Sequence, residues 1–203
     1  MRTRERARPL PADERRQIIV AAAVPLMRAH GRAVTTKAIA AAAGVAEGTV
    51  FHVFEDKDAL IQAVVAHEFR TDQALQALLA VDPSSDLPVR LTAIVEILRR
   101  RLVEVFELMT ALGLRRPPEP PPGGSAPHLR LLSQVAELLE PDRAALRYPP
   151  AQTAELIRII TFAASHPGIT DHRPLDAAQI TDLLLNGISH EPGAVAPPGG
   201  TSC

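Results

Sequence analysis

Apolar residues recur along this chain every three or four positions, and sustained two-residue alternation is absent. A period near 3.6 belongs to a helix with one buried face, a period of two to a strand. The pattern therefore predicts an all-α protein. Asp13 to His30 reads as the first helix, with Ile18, Ile19, Ala22, Ala23, Leu26 and Met27 on one side and Gly31 as its stop. Pro25 sits inside it and predicts a kink. Two short helices follow, Thr36 to Ala43 behind a capping Thr35, and Glu47 to Phe54. Asp56 caps a longer one, about Lys57 to Val81, whose apolar residues are Leu60, Val64, Phe69, Leu75, Leu78 and Leu79.

After the break DPSSD (Asp82 to Asp86), Leu87 to Leu112 carries a long stripe: Leu91, Ile94, Val95, Leu98, Leu102, Val105, Phe106 and Met109. RRPPEPPPGGSAP, Arg115 to Pro127, is too rich in Pro and Gly to be helical. His128 to Leu139, Pro150 to His166 and Asp176 to Ser189 are helical again, which makes eight helices. The last two present Leu156, Ile159, Ile160 and Ala163, then Ile180, Leu183, Leu184 and Ile188, with Leu175 just ahead of them. The ends read as a flexible basic arm at 1–10 and a disordered tail at 191–203.

Composition sharpens this picture. The chain has 203 residues, enough for a hydrophobic core, and is 46% hydrophobic but only 3% aromatic. Its core volume must come from Leu, Ile, Val and Ala, which suits helix packing. The net charge of −1 is unevenly spread. Residues 1–54 hold nine Arg/Lys against four Asp/Glu; the remainder holds thirteen against nineteen. A basic first quarter on an acidic protein is the footprint of a polyanion-binding head. The single cysteine, Cys203, fits a reducing cytoplasm, and no disulfide, metal or cofactor is expected. IIVAAAVPLM, Ile18 to Met27, is as apolar as a signal-peptide core, but Glu5, Asp13 and Glu14 precede it, and it reads as a buried helix. No stretch reaches the roughly 18 apolar residues that span a bilayer, so no membrane partner is expected. GxSxG, HExxH and phosphate-loop motifs are absent, and the seven histidines form no i, i+4 pair. An enzyme is not expected.

The stretch TTKAIAAAAGVAEGTVFHVF, Thr35 to Phe54, combines three demands. Ala40 permits two helices to cross closely. Gly44 ends the first helix where a positive φ is needed. Val45, Val50 and Val53 then turn inward with Ile39 and Ala43. This is the spacing of a helix-turn-helix, whose second helix enters the major groove. Its outward residues are Glu47, Gly48, Thr49 and His52, with Ala46 at the start. Gly48 leaves room for backbone to approach a duplex. Thr49 suits a phosphate or a thymine methyl, His52 a phosphate, and Glu47 the helix dipole or a cytosine amine. Lys57, at a helix start, suits a phosphate. Thr36 and Lys37 begin the supporting helix beside the same backbone.

Residues 15–65 resemble the DNA-binding domain of TetR-type regulators. The resemblance lies in RRQIIVAAAVPLMRAHG and in TTKAIAAAAGVAEGTVFHVFEDKDALIQAVV: the glycine–threonine–aliphatic–aromatic run, Phe54, and Lys57 followed by Leu60. It implies a three-helix DNA-binding head over 11–56, an all-helical ligand-binding and dimerisation body over 57–190, and a homodimer formed through the last two helices. Two positions depart from the family's pattern. Phe51 stands where tyrosine is usual, and Ala46 where serine is common.

The implied function is a ligand-responsive repressor acting on a palindromic operator. Its partners are double-stranded DNA, a second copy and an unknown small-molecule effector. The alternative is a helical small-molecule-binding or interaction protein with a weakened head. Candidate effector-lining residues are His67, Phe69, Glu96, Leu98, Phe106, Met109, Thr110, His128, Leu132 and Gln134. Glu96 with Arg99 and Arg100 also has the spacing of an intrahelical ion pair.

Overall fold

A computed structural model describes residues 11–114 and 127–188. The described residues form nine α-helices and two 3-10 turns. The helices are α1 (Ala12–His30), α2 (Thr36–Ala43), α3 (Glu47–Val53), α4 (Lys57–Glu68), α5 (Asp72–Leu79), α6 (Leu87–Ala111), α7 (Pro127–Leu139), α8 (Pro150–Ser165) and α9 (Ala177–Ile188). The 3-10 turns are Gly31–Ala33 and Glu140–Ala145. The expected arm, tail and nearly all of the Pro-rich loop lie outside the described residues.

The helix expected over Lys57–Val81 is two helices. α4 ends at Glu68, Phe69 and Arg70 fold back on the carbonyls of Val65 and His67, and Thr71 starts α5 as its N-cap. Neither Gly nor Pro marks this break, so apolar spacing ran straight across it. The available signal was Thr71–Asp72, a helix-start pair with an acid in the first turn. Two apolar positions are also corrected. Leu79, in the last turn of α5, is 55% exposed. In α1 the buried set is Ile19, Val20, Ala23, Val24 and Met27, while Ile18 is 39% exposed. The run is apolar on both flanks, so periodicity could not fix the edge of the stripe. α1 continues through Pro25, which faces solvent.

The described chain falls into two compact units. One runs to Arg70 and takes in the stretch from Val103; the other holds Thr71–Leu102 and the stretch from Pro127. α4 belongs to the first unit, where it buries Leu60, Ile61, Val64 and Val65 in the same core as α1, α2 and α3. Leu108 and Leu112 complete that core. The second unit has its own, built from Leu78, Leu91, Ile94, Val95, Leu131, Val135, Leu139, Ile157, Ile180 and Leu184 among others. There α7 packs on α5 and α8, and α8 on α9.

Candidate nucleic-acid interface

Local chemistry fixes the two short helices of the head. The Thr35 hydroxyl accepts from the Ala38 amide at 3.1 Å and opens α2. Gly44 closes it in the left-handed region, at φ 67°, with the Val45 amide donating to Ala40 at 3.0 Å. A Cβ at Gly44 would meet nothing within 4 Å, so conformation and not space requires glycine here. α3 then packs through Val50, 2% exposed, with Val53 half-buried and Phe54 buried at its end. Asp56 caps α4 by accepting from the Ala59 amide at 2.6 Å.

The residues left outside α3 are Glu47, Gly48, Phe51 and His52, with Ala46 at the cap; Thr49 is half-buried. A Cβ at Gly48 would also meet nothing within 4 Å, so the surface over it is open. Phe51 is 56% exposed. Lys37 is exposed one residue inside α2. Thr36 and Glu47 engage each other, the hydroxyl donating to the carboxylate at 2.9 Å across the turn. Lys57 is half-buried and its ammonium donates to the Arg32 carbonyl at 2.5 Å. Arg32 in turn pairs with Asp58. The starts of α2 and α3 are thus tied together, as are the 3-10 turn and the start of α4.

Arg16 was not foreseen as part of this arrangement. From α1 its guanidinium lies 4.5 Å from the centre of the Phe54 ring and donates to the Val53 carbonyl at 3.4 Å. It therefore braces the C-terminal end of α3, where a cation also meets the negative end of the helix dipole. The sequence signal was faint: one arginine among several in an amphipathic helix.

The sequence model of the family described as bacterial regulatory proteins, tetR family, matches residues 19–64, which span α1 from Ile19 through most of α4. Residues 19–64 are thus of TetR type. Solved structures agree on the fold. A chain of Mesorhizobium loti MAFF303099 assigned to the TetR family superposes with a TM-score of 0.58 at 16% identity, covering 89% of this chain and 100% of that one. A transcriptional regulator of Rhodococcus sp. Rha1 gives 0.52 at 18% identity, covering 90% and 99%. A TetR family transcription regulator of Marinobacter aquaeolei VT8 gives 0.50 at 20%, covering 87% and 96%. No curated protein matches the chain. The family match and the fold support DNA-binding transcriptional regulation, and the head just described is the TetR-type element that would carry it.

The ten effector-lining candidates divide between the two units. His67, Phe69, Phe106, Met109 and Thr110 belong to the first; Glu96, Leu98, His128, Leu132 and Gln134 belong to the second. Phe106 and Leu98 are buried, Phe69 and Leu132 pack against the core of their own unit, and Thr110 and His128 are exposed. His67, Met109 and Gln134 are half-buried. Glu96 accepts from Arg99 at 3.2 Å and from Arg100 at 3.4 Å, the intrahelical pair its spacing predicted. Sequence reasoning passed over three hydroxyls in the second unit. Thr161, Ser165 and Thr181 are each under 5% exposed, and their oxygens have no protein hydrogen-bond partner among the described residues. No helix among the described residues is long and apolar enough to cross a membrane.

Proposed function

We propose that the protein is a cytoplasmic, homodimeric repressor that binds a palindromic operator through α3 and is released by a small-molecule effector. The observation that carries this reading is the head. α3 buries Val50, turns Glu47, Gly48, Phe51 and His52 outward, and stands on an alanine-rich α2 capped at both ends. DNA contacts are assigned to Thr36, Lys37, Ala46, Glu47, Gly48, Thr49, Phe51, His52 and Lys57. Lys37 meets phosphate. Thr36 and Lys57 act partly through the tethers they make, holding the two short helices and the α4 start in register.

A dimer places two α3 helices about 34–36 Å apart, one turn of duplex. An effector that favours another separation weakens binding. A coupling of roughly 1–3 kcal/mol changes affinity about 5- to 150-fold. The second unit has a core of aliphatic side chains, which suits an apolar effector, and the hydroxyls of Thr161, Ser165 and Thr181 suit its few polar atoms. The test is binding of the purified full chain to the DNA upstream of its own gene across a salt series. Affinity falls steeply with salt, and Lys37→Ala lowers the slope by about one. Binding that ignores both salt and sequence refutes the proposal.

A further inference from the structure

The outward side of α3 carries one large apolar side chain, and its surroundings narrow what that side chain can do. Successive residues of a helix turn by about 100°. Around the exposed arc of α3 the order is therefore Glu47, Phe51, Gly48, His52, opposite the buried Val50. At 56% exposure Phe51 is the most exposed aromatic among the described residues. The head otherwise keeps its large apolar side chains inside, with Ile18 its other exposed one. Gly48, the neighbour of Phe51 on the arc, has no side chain, and the space a Cβ would take is empty. Phe51 thus stands clear of its own helix, where an approaching surface can reach both its face and its edge.

A phenyl ring can neither donate a hydrogen bond to a phosphate nor pair with a base-edge acceptor. The one apolar group a duplex presents in its major groove is the C5-methyl of thymine. Elsewhere in the head the Thr36 hydroxyl donates to Glu47, and the Lys57 ammonium gives one of its three protons to the Arg32 carbonyl. We infer that Phe51 reads a thymine methyl in the major groove and so sets sequence preference at one position of each half-site. This rests on the DNA-binding reading above and goes further by naming the chemical group recognised. Thymine presents its methyl in the major groove and cytosine does not, so the contacted base pair is A·T.

The experiment removes the methyl and nothing else. Duplexes are selected from a random pool by the full-length protein. Deoxyuridine is then placed at each thymine in turn, and affinities are measured by fluorescence anisotropy. One thymine per half-site is expected to stand out, its replacement weakening wild-type binding about fourfold, the loss of one buried carbon. Phe51→Ala is expected to bind the thymine and uracil duplexes equally, and Phe51→Leu to keep part of the discrimination. If selected duplexes bind specifically and every uracil replacement leaves wild-type affinity unchanged, the inference falls while the DNA-binding reading stands. If the wild-type chain enriches no duplex at all, the DNA-binding reading falls and takes this inference with it.

Discussion

Two glycines of the head share a positive φ and differ in everything around them. Gly44 sits at φ 67° with open space where a Cβ would be. Gly31 sits at φ 55°, and a Cβ there would stand 2.2 Å from the carbonyl oxygen of Ala111. An L-residue at Gly44 meets only the intrinsic conformational penalty, about 1–2 kcal/mol. One at Gly31, where ψ is −141°, enters a region that is essentially glycine's alone and also meets a backbone atom that cannot rotate away. Gly44→Ala should therefore lower head stability by about 1 kcal/mol. Gly31→Ala should cost about 3 kcal/mol or more, in the range of strained and overpacked sites. Urea denaturation followed by circular dichroism separates the two; equal losses would mean that α6 gives way at Ala111. Only half of this contrast was legible in the sequence. Both glycines end a periodic run, which identifies the turn. The approach of Ala111 joins residues eighty apart, and no local pattern encodes it.

At the scale of elements, capping chemistry was the most legible feature, because a cap is a contact over three residues. Thr35 and Asp56 accept from the amides of Ala38 and Ala59 as their side chains dictate. Asp176 and Gln179 cap α9 reciprocally, at 2.8 and 3.0 Å. What stayed hidden was held by single long side chains crossing between elements. Arg16 braces α3, and its removal should loosen that helix more than the head as a whole. Arg16→Ala is expected to cost about 1 kcal/mol, the worth of an exposed cation–π contact with a weak hydrogen bond. It should also speed amide exchange at the end of α3 ahead of α1 and α4. Arg16→Lys keeps the charge but not the planar guanidinium, and should recover only part of the protection. Arg90 is the counterpart in the second unit: 2% exposed, it pairs with Asp142 and donates to the carbonyls of Pro83 and Ser85. It locks the turn before α6 to the 3-10 turn after α7. Asp142→Ala leaves a buried cation without its counter-charge and should cost about 3 kcal/mol. Arg90→Met should cost less, since Asp142, 26% exposed at its side chain, can turn to water. Acid should act on the same turn. Asp82 is held below the ordinary carboxylate value by the Ser84 amide, then by the Ser84 hydroxyl and by Arg90. Its folded value is the lower one, so its contribution is present above about pH 4 and is lost as pH falls through that folded value. Asp82→Asn should flatten the acid limb of the stability curve there, because its Oδ1 still accepts from the Ser84 amide and hydroxyl but no longer titrates.

On the scale of the whole molecule, the size of α3 is the argument for the proposed dimer. Seven residues, four of them facing outward, offer too few contacts for useful affinity at one half-site. Two heads on one frame turn the second contact into an intramolecular event, worth roughly 10²- to 10⁴-fold. A closed pair needs a self-complementary patch on each copy. α8 exposes Ile159 and Phe162 at 51% and 40%, and α9 exposes Leu183 at 53%. They lie outside the set, Ile157, Ile180 and Leu184 among it, with which the same helices fill the core of the second unit. Ile159 and Leu183 can therefore meet a second copy without disturbing the fold of the first. The double variant Ile159→Glu, Leu183→Glu places like charges on that patch and leaves the core untouched. Light scattering should report about twice the 21.8 kDa chain mass for the wild type and the single chain mass for the variant. Helical circular dichroism should be unchanged. DNA affinity should fall at least about 100-fold, and the salt dependence should drop to half its slope, because one head then neutralises half the phosphates. A variant that stays dimeric would move the interface away from α8 and α9. A monomer that keeps full affinity would mean that one head suffices, and the geometric account of effector release, which works through the spacing of two, would have no lever left.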